Sequence, residues 1–354
     1  MKIKSFKAYK KNLLLQKPYT IARETITDVE NIFLEVELEN GITGIGAANP
    51  SPEVVGETPA QTLQHLQSGF LESFIGKDIR QFLHHIYLTK QHFVNLPGTQ
   101  ACIDIALHDA FAKWLGISIV DFYGRQHERM LTSVTIGIKD VAATLEEAEG
   151  YYQKGFRILK VKTGIDAQLD AERIIKLKEK FGQHFIIRVD ANTGYTLEDL
   201  KQFLSLTKQY KVELIEQPLL PSIDHELLQL PAQTRALLAA DESLKNETSA
   251  LSIAAKNLYG IFNIKLMKCG GIQNAFNIAN IARPAGISLF WGCNDESIVS
   301  ITAALHAAFA CPHTKYIDLD GSLDLAEDVV TGGFTIKDGY MYLHGGNGLG
   351  VTII

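Results

Sequence analysis

Between residues 131 and 321 the chain repeats one local pattern eight times. A short apolar or β-branched run ends in a charged or polar residue, and a longer segment follows. The runs are SVTIGI, RILKVKTG, FIIRVDAN, VELIEQP, ALLAADES, GIFNIKLMK, SLFWGCNDES and YIDLDG. The segments between them, such as DAERIIKLKEKFG and LEDLKQFLSLTKQY, carry helical patterning studded with charge. Strands alternating with helices imply right-handed βαβ units and a parallel sheet. Eight such strands favour closure into a (β/α)8-type barrel over an open sheet. No diagnostic GxGxxG follows an early strand, which weakens a dinucleotide-binding reading.

The polar residues fall where each run ends: Lys160 and Lys162, Asp190, Glu216, Asp241, Lys265, then Asp318 and Asp320. From Lys162 to Lys265 the successive spacings are 28, 26, 25 and 24 residues, one strand-helix unit each. Any one of them alone could be a solvated strand end. In a parallel barrel, however, all strand C-termini open on one mouth, where active sites are built.

Asp190, Glu216 and Asp241 come from three consecutive strands and therefore neighbour one another around that mouth. Converging carboxylates repel unless some protonate or a cation joins them. An all-oxygen donor set suits Mg²⁺ or Mn²⁺ and does not suit zinc. Lys160 and Lys162 precede this acidic arc by one strand, and alternation places both on one face of theirs. Lys265 follows the arc by one strand. A lysine works as a base when its pKa falls, and neighbouring positive charge and burial both lower it. The paired lysines are thus expected to make one another better bases. Such a site fits abstraction of a proton next to a carboxylate, with a second lysine returning a proton to the opposite face.

The first third is different. ENIFLEVELE alternates like an antiparallel strand, with a turn at Asn40-Gly41, and helical patterns span about 59–76 and 98–115, with Gly116 as a stop. A small α+β unit is expected there. The chain has 354 residues, 46% hydrophobic and 21% charged, with a net charge of −6. That composition is ordinary for a soluble globular protein and argues against nucleic-acid and polybasic membrane surfaces. The N-terminal stretch lacks the features of a signal peptide, and no segment approaches a membrane span. Cys102, Cys269, Cys293 and Cys311 form no CxxC pair, so a reducing cytoplasm is the expected setting.

The ordered set KVK, VDAN, IEQP, ADES and NIKLMKCGG resembles the muconate-lactonizing subgroup of the enolase superfamily over nearly the whole chain. Sites of that superfamily combine a Lys or His base with Mg²⁺. The resemblance implies an α/β fold, a modified TIM barrel of (β/α)7β type with an α+β capping domain. The cap would combine residues 1–125 with a C-terminal segment, 323–354, around a barrel of 126–322. It also implies that Asp190, Glu216 and Asp241 bind Mg²⁺ (Mn²⁺ as a substitute), with Asp241 rather than Glu242 at the third position. Lys162 and Lys265 would be the acid/base pair, and Lys160 would meet the substrate carboxylate. Lys268, beyond the matched lysine, receives no role.

Within that subgroup, DLDG resembles the DxD motif of dipeptide epimerases. Asp318 and Asp320 would hold the substrate ammonium. YTIARET resembles the mobile specificity loop of the cap, with Arg23 placed to meet a carboxylate, and Thr135, Cys293 and Asn294 would line the pocket. The resemblance implies a substrate of D-Ala-D/L-Ala or Ala-D/L-Glu type, and ANPSPEVVGET, which departs from the CTPYPRYGE-like text of Ala-Glu epimerases, leaves room for the former. The implied partner is a small dipeptide, with no nucleic acid or membrane, in a chain compatible with a homo-oligomer. Peptidoglycan dipeptide metabolism is the implied setting.

Three other readings stay open. o-Succinylbenzoate synthesis, N-succinylamino-acid racemisation or cycloisomerisation would use the same scaffold but leave Asp318 and Asp320 without an ammonium to pair. A Schiff-base aldolase would not need three carboxylates. A non-catalytic dipeptide-binding barrel would need neither Lys162 nor Lys265.

Overall fold

The computed structural model describes the backbone of residues 1–20 and 25–354, and the side chains of residues 1–16 and 27–354. The chain begins with an antiparallel sheet in the order β1 (Ile3–Thr20), β2 (Thr25–Leu38) and β3 (Thr43–Ala48). The alternating run read from the sequence lies in β2, where Ile32, Phe33, Leu34, Val36 and Leu38 are fully buried. The Asn40-Gly41 turn closes on a bond from Leu38 N to Ile42 O. Helix Pro97–Leu115 packs against β2 and β3, is buried from Gly98 to Ala112, and stops at Gly116. The other expected helix is shorter than its pattern. It runs Pro59–Leu66 and gives way at Ser68-Gly69, where the Ser68 hydroxyl bonds back to His65 O, before a single 3₁₀ turn at Leu71–Phe74.

A two-residue strand, β4 (Met130–Leu131), leads into the barrel. Its strands are β5 (Val134–Ile136), β6 (Ile158–Lys162), β7 (Ile186–Asp190), β8 (Val212–Glu216), β9 (Leu238–Ala240), β10 (Ile261–Ile264), β11 (Ser288–Trp291) and β12 (Thr314–Ile317). They pair in sequence order, all parallel, one strand from each of the eight runs. A parallel bridge between Thr132 and Ile317, with Leu319 N donating to Thr132 Oγ1, returns the last strand to the first.

Most connections are α-helices, but β8 to β9 is not. Prolines 218, 221 and 231 leave a 3₁₀ run at Pro221–Gln229 and one α-turn at Ala232–Arg235. After β12 no helix follows. The chain instead forms β13 (Val330–Gly332), β14 (Phe334–Lys337), β15 (Tyr340–Leu343) and β16 (Val351–Ile353). β15 lies between β14 and β4, and β13 pairs with β16. This segment also bridges Leu15 through Leu325 and Ser118 through Gly348, so it touches the N-terminal unit as well as the barrel. Among the described residues no helix is long and apolar enough to cross a membrane.

Alternation along the barrel strands gives one face Lys160, Arg188, Leu214, Ala239, Ile261, Phe290 and Tyr316. Of these, Leu214, Ala239, Ile261, Phe290 and Tyr316 form a small apolar cluster separate from the main core. Two residues further along most of these strands, the same face carries the charged mouth.

Candidate active site

Register alone aligns three charged side chains: Lys162 pairs with Asp190 across β6 and β7, and Asp190 with Glu216 across β7 and β8. Asp241 and Lys265 stand one residue beyond the ends of β9 and β10. Asp318 and Asp320 likewise lie just past β12 and not on it. The mouth still gathers them, because the alternation continues into the loops.

Lys160 sits at the centre, buried, with its ammonium 3.0 Å from Asp190 Oδ2, 2.8 Å from Glu216 Oε2 and 2.9 Å from Asp318 Oδ2. Lys162, part-exposed, donates to Asp190 Oδ2 and to Asn192 Oδ1, both at 2.8 Å. Lys265 lies 3.0 Å from Asp241 Oδ2 on the far side of the arc. The expectation that a paired lysine has its pKa lowered is not met at Lys160. Burial does push the Lys160 amine down, but Asp190, Asp318 and Glu216 together hold it well above the usual lysine range. Lys265 is raised as well, chiefly by Asp241 against the opposing effect of burial. The physical reason is placement: Lys160 lies within 3.0 Å of carboxylate oxygens of Asp190, Glu216 and Asp318, and Lys265 lies 3.0 Å from Asp241.

The acids respond to the same crowding. Burial raises all three, but lysines overcome it at Asp190 and Asp241, which fall far below the usual carboxylate range. At Glu216 burial and the Asp190 charge win, pushing the group up to about 8. Asn263 Nδ2 donates to Glu216 Oε1 at 2.6 Å, and among the described residues Glu216 Oε2 accepts no hydrogen bond of good geometry despite the nearby Lys160. No three carboxylate, imidazole or thiol groups of the described residues form a ready-made metal cage. The donor set nevertheless fits a hard divalent ion: three buried carboxylates, one with an orphaned oxygen, each within reach of a lysine ammonium.

Across the mouth, Ser133 Oγ donates to Asp318 Oδ1 at 2.6 Å and Thr135 N donates to Asp320 Oδ2 at 2.9 Å. Asp318 is held below its ordinary value by Lys160 and Ser133, against the effect of burial. Asp320, half-buried, is pushed up to about 7 by desolvation and the neighbouring Asp318 charge. A carboxyl in that state gains from an arriving cation. Cys293 Sγ approaches Asp318 O, and burial beside Asp320 and Asp318 pushes its thiol well up. Asn294 Nδ2 reaches Asn49 O, and Asn49 N reaches Met267 Sδ, so the segment after β3 lies over the loops that follow β10 and β11. Thr135, Cys293 and Asn294 therefore stand around one mouth with Lys160, Asp318 and Asp320. Arg23 lies outside the described residues.

The sequence reading left several site residues without a role. Lys268 is buried, its amine lowered by burial, and it donates to the Asp241 carboxylate, to Asp241 O and to Asn263 O. The one helical turn Leu266–Cys269 carries it back beside Lys265, a placement that a three-residue spacing could have suggested. Asn192 in VDAN, Asn263 in FNIK and Gln217 in IEQP also bond to the charged groups or their backbone. Arg188, two residues before Asp190, lies against the rings of Phe290 and Tyr316 beneath the site and donates to Ile317 O.

Residues 4–124 match the mandelate racemase / muconate lactonizing enzyme N-terminal domain, and residues 143–354 match the enolase C-terminal domain-like family. The chain is 49% identical to an L-Lys-D/L-Arg epimerase of Desulforapulum autotrophicum, over the full length of both. A dipeptide epimerase of Methylococcus capsulatus, solved with Mg and the dipeptide L-Arg-D-Lys, superposes with a TM-score of 0.96 at 42% identity, covering 99% of this chain and 100% of that one. A dipeptide epimerase of Enterococcus faecalis, solved with Mg and L-Leu-L-Tyr, gives a TM-score of 0.92 at 30% identity, covering 99% and 100%. With its capped barrel, its ordered motifs and both of its domains matched, the chain belongs to the mandelate racemase / muconate lactonizing enzyme family of the enolase superfamily.

Proposed function

We propose that this isomerase is a Mg²⁺-dependent dipeptide epimerase, which inverts the α-carbon of the C-terminal residue of dipeptides with basic side chains. The observation that carries the reading is the placement of Lys162 and Lys265. They flank the Asp190–Glu216–Asp241 arc from opposite sides, with the Lys160 ammonium between. Residues 1–125 and 323–354 form the cap in this reading, and 126–322 the barrel.

Asp190, Glu216 and Asp241 would hold the ion, which supplies charge stabilisation to the substrate carboxylate. Lys160 stays protonated and neutralises charge that develops there as the α-proton leaves. One of Lys162 and Lys265, as the free amine, takes that proton from one face. The other, as the ammonium, delivers a proton to the opposite face, so the two exchange protonation states in each turnover. In the structure Lys265 rests on Asp241, and an Asp241 carboxylate engaged elsewhere no longer holds that amine protonated. Asp320 and Asp318 would receive the substrate ammonium.

The sequence alone leaves a D-Ala-D/L-Ala type of substrate open. Likeness to proteins named for L-Lys-D/L-Arg favours basic dipeptides instead. The test is α-proton exchange in D₂O with a panel containing Lys- and Arg-dipeptides, Ala-Ala, Ala-Glu and N-succinyl-arginine. Basic dipeptides should exchange and epimerise fastest, and preference for N-succinyl-arginine would overturn the dipeptide reading. Lys162→Ala and Lys265→Ala should each lower epimerisation by about 10²–10⁴-fold. Each should still exchange deuterium into one separate epimer. A variant that exchanged both epimers at the parent rate would exclude the two-base mechanism.

A further inference from the structure

Gln217, directly after Glu216, has a side chain that is fully buried and a backbone at φ 31°, in front of Pro218. That region is sparsely populated for a residue with a Cβ and persists only where the surroundings hold it. Its side-chain oxygen accepts from Asp241 N at 2.9 Å and Ser243 N at 3.1 Å. Its Nε2 faces Leu219 O, Ser243 Oγ and Tyr259 OH at 2.8–2.9 Å.

Proton bookkeeping fixes which way this amide points. Tyr259 OH donates to Asp224 Oδ1 and Ser243 Oγ donates to Asp224 Oδ2, both at 2.6 Å. Each hydroxyl has one proton, so both present lone pairs to Gln217. The NH₂ group must therefore face them, and the carbonyl oxygen must face the backbone N–H of Asp241. A flipped amide would set donor against donor and acceptor against acceptor.

We infer that Gln217 is a positioning residue for the divalent-cation site, tying the strand end that bears Glu216 to the backbone of Asp241, with Asp224 and Tyr259 as its anchor. This rests on the reading that Glu216 and Asp241 are ligands. Lys268 holds the Asp241 carboxylate and Gln217 holds its amide, so the residue is oriented from two sides. Loss of a partner that orients a metal ligand costs about 10–100-fold in affinity.

The experiment is Mg²⁺ titration calorimetry of the metal-stripped protein, with thermal unfolding of each variant alongside. Gln217→Met keeps the volume and removes the acceptor, and its Mg²⁺ Kd should rise by about 10–100-fold. Tyr259→Phe releases the far end of the anchor without touching a ligand and should raise Kd severalfold. A folded Gln217→Met protein with the parent Kd overturns the inference. If that variant fails to fold, parent affinity in Tyr259→Phe overturns it instead. Asp241→Asn separates the two readings. Lost Mg²⁺ binding there with parent binding in the Gln217 variant rejects only the positioning role, whereas parent binding in Asp241→Asn rejects the ligand assignment and this inference together.

Discussion

Glu216 shows how far a single carboxyl can be moved by its neighbours. Its ordinary value of 4.5 rises to about 8 through burial and the Asp190 charge, with Lys160 only partly opposing. In the metal-free protein the folded state therefore keeps a proton on Glu216 that the unfolded chain has lost, between about pH 4.5 and about 8. Stability falls with pH wherever the native state binds the extra proton, so this group's contribution is full below its unfolded value and is lost as pH rises through its folded one. With Glu216 as a proposed ligand, a divalent ion needs its carboxylate, so binding would release that proton. Mg²⁺ titrations near pH 7, run in two buffers of different ionisation enthalpy, should reveal proton release, and affinity should strengthen from roughly pH 6 to pH 8. Affinity independent of pH over that range would count against Glu216 as a ligand.

Above single residues, the loops after β6 and β7 set the spacing of the mouth. Gly164 has φ 107°, and a Cβ there would lie 2.2 Å from Ala191 O. A Cβ on Gly194 would lie equally close to Gly164 O, so the two loops meet backbone to backbone just beyond Lys162 and Asp190. Gly164→Ala should destabilise by at least about 1–3 kcal/mol from backbone strain alone, read as a lower urea midpoint, and the parent midpoint would show that the loops part freely.

The strands were readable from the sequence because the runs are short and largely apolar and six of the eight end in a charge, two signals that need no tertiary knowledge. The β8–β9 connection was not, since its apolar spacing resembles a helix while its prolines forbid one. Asp190, Glu216 and Asp241 could be grouped by spacing. The work of Lys268, Asn263 and Gln217 could not, because it consists of bonds to backbone atoms and neighbouring strands that only the closed ring brings within reach. The sign of the lysine shifts was missed for the same reason: which charge lies nearest to Lys160 is a matter of ångströms.

At the scale of the whole molecule, cap and barrel are joined through the C-terminal segment on the side away from the Asp190–Glu216–Asp241 arc. Ala326 N bonds Leu14 O and Gln16 N bonds Asp324 O, both at 2.7 Å, fastening the segment to β1. Two residues on, Asp328 accepts from Ser297 Oγ at 2.9 Å and Ile298 N at 2.7 Å, fastening it to the start of helix Ile298–Ala310. That helix follows the loop bearing Cys293 and Asn294, against which the cap segment at Asn49 rests. Asp190, Glu216 and Asp241 belong to β7, β8 and the end of β9, across the ring. Removing the Asp328 carboxylate should therefore loosen the roof and leave the floor intact. Asp328→Ala leaves the Ile298 amide without its carboxylate partner at a partly buried helix start, which costs about 1 kcal/mol and should lower the denaturation midpoint accordingly. The dipeptide KM should rise severalfold because the Asn49 segment rests over the mouth through the loop that this helix follows, while the Mg²⁺ Kd stays at the parent value. Mg²⁺ affinity falling in parallel with KM would mean that roof and metal floor are one cooperative unit, and the separation of roles between cap and barrel would have to be given up.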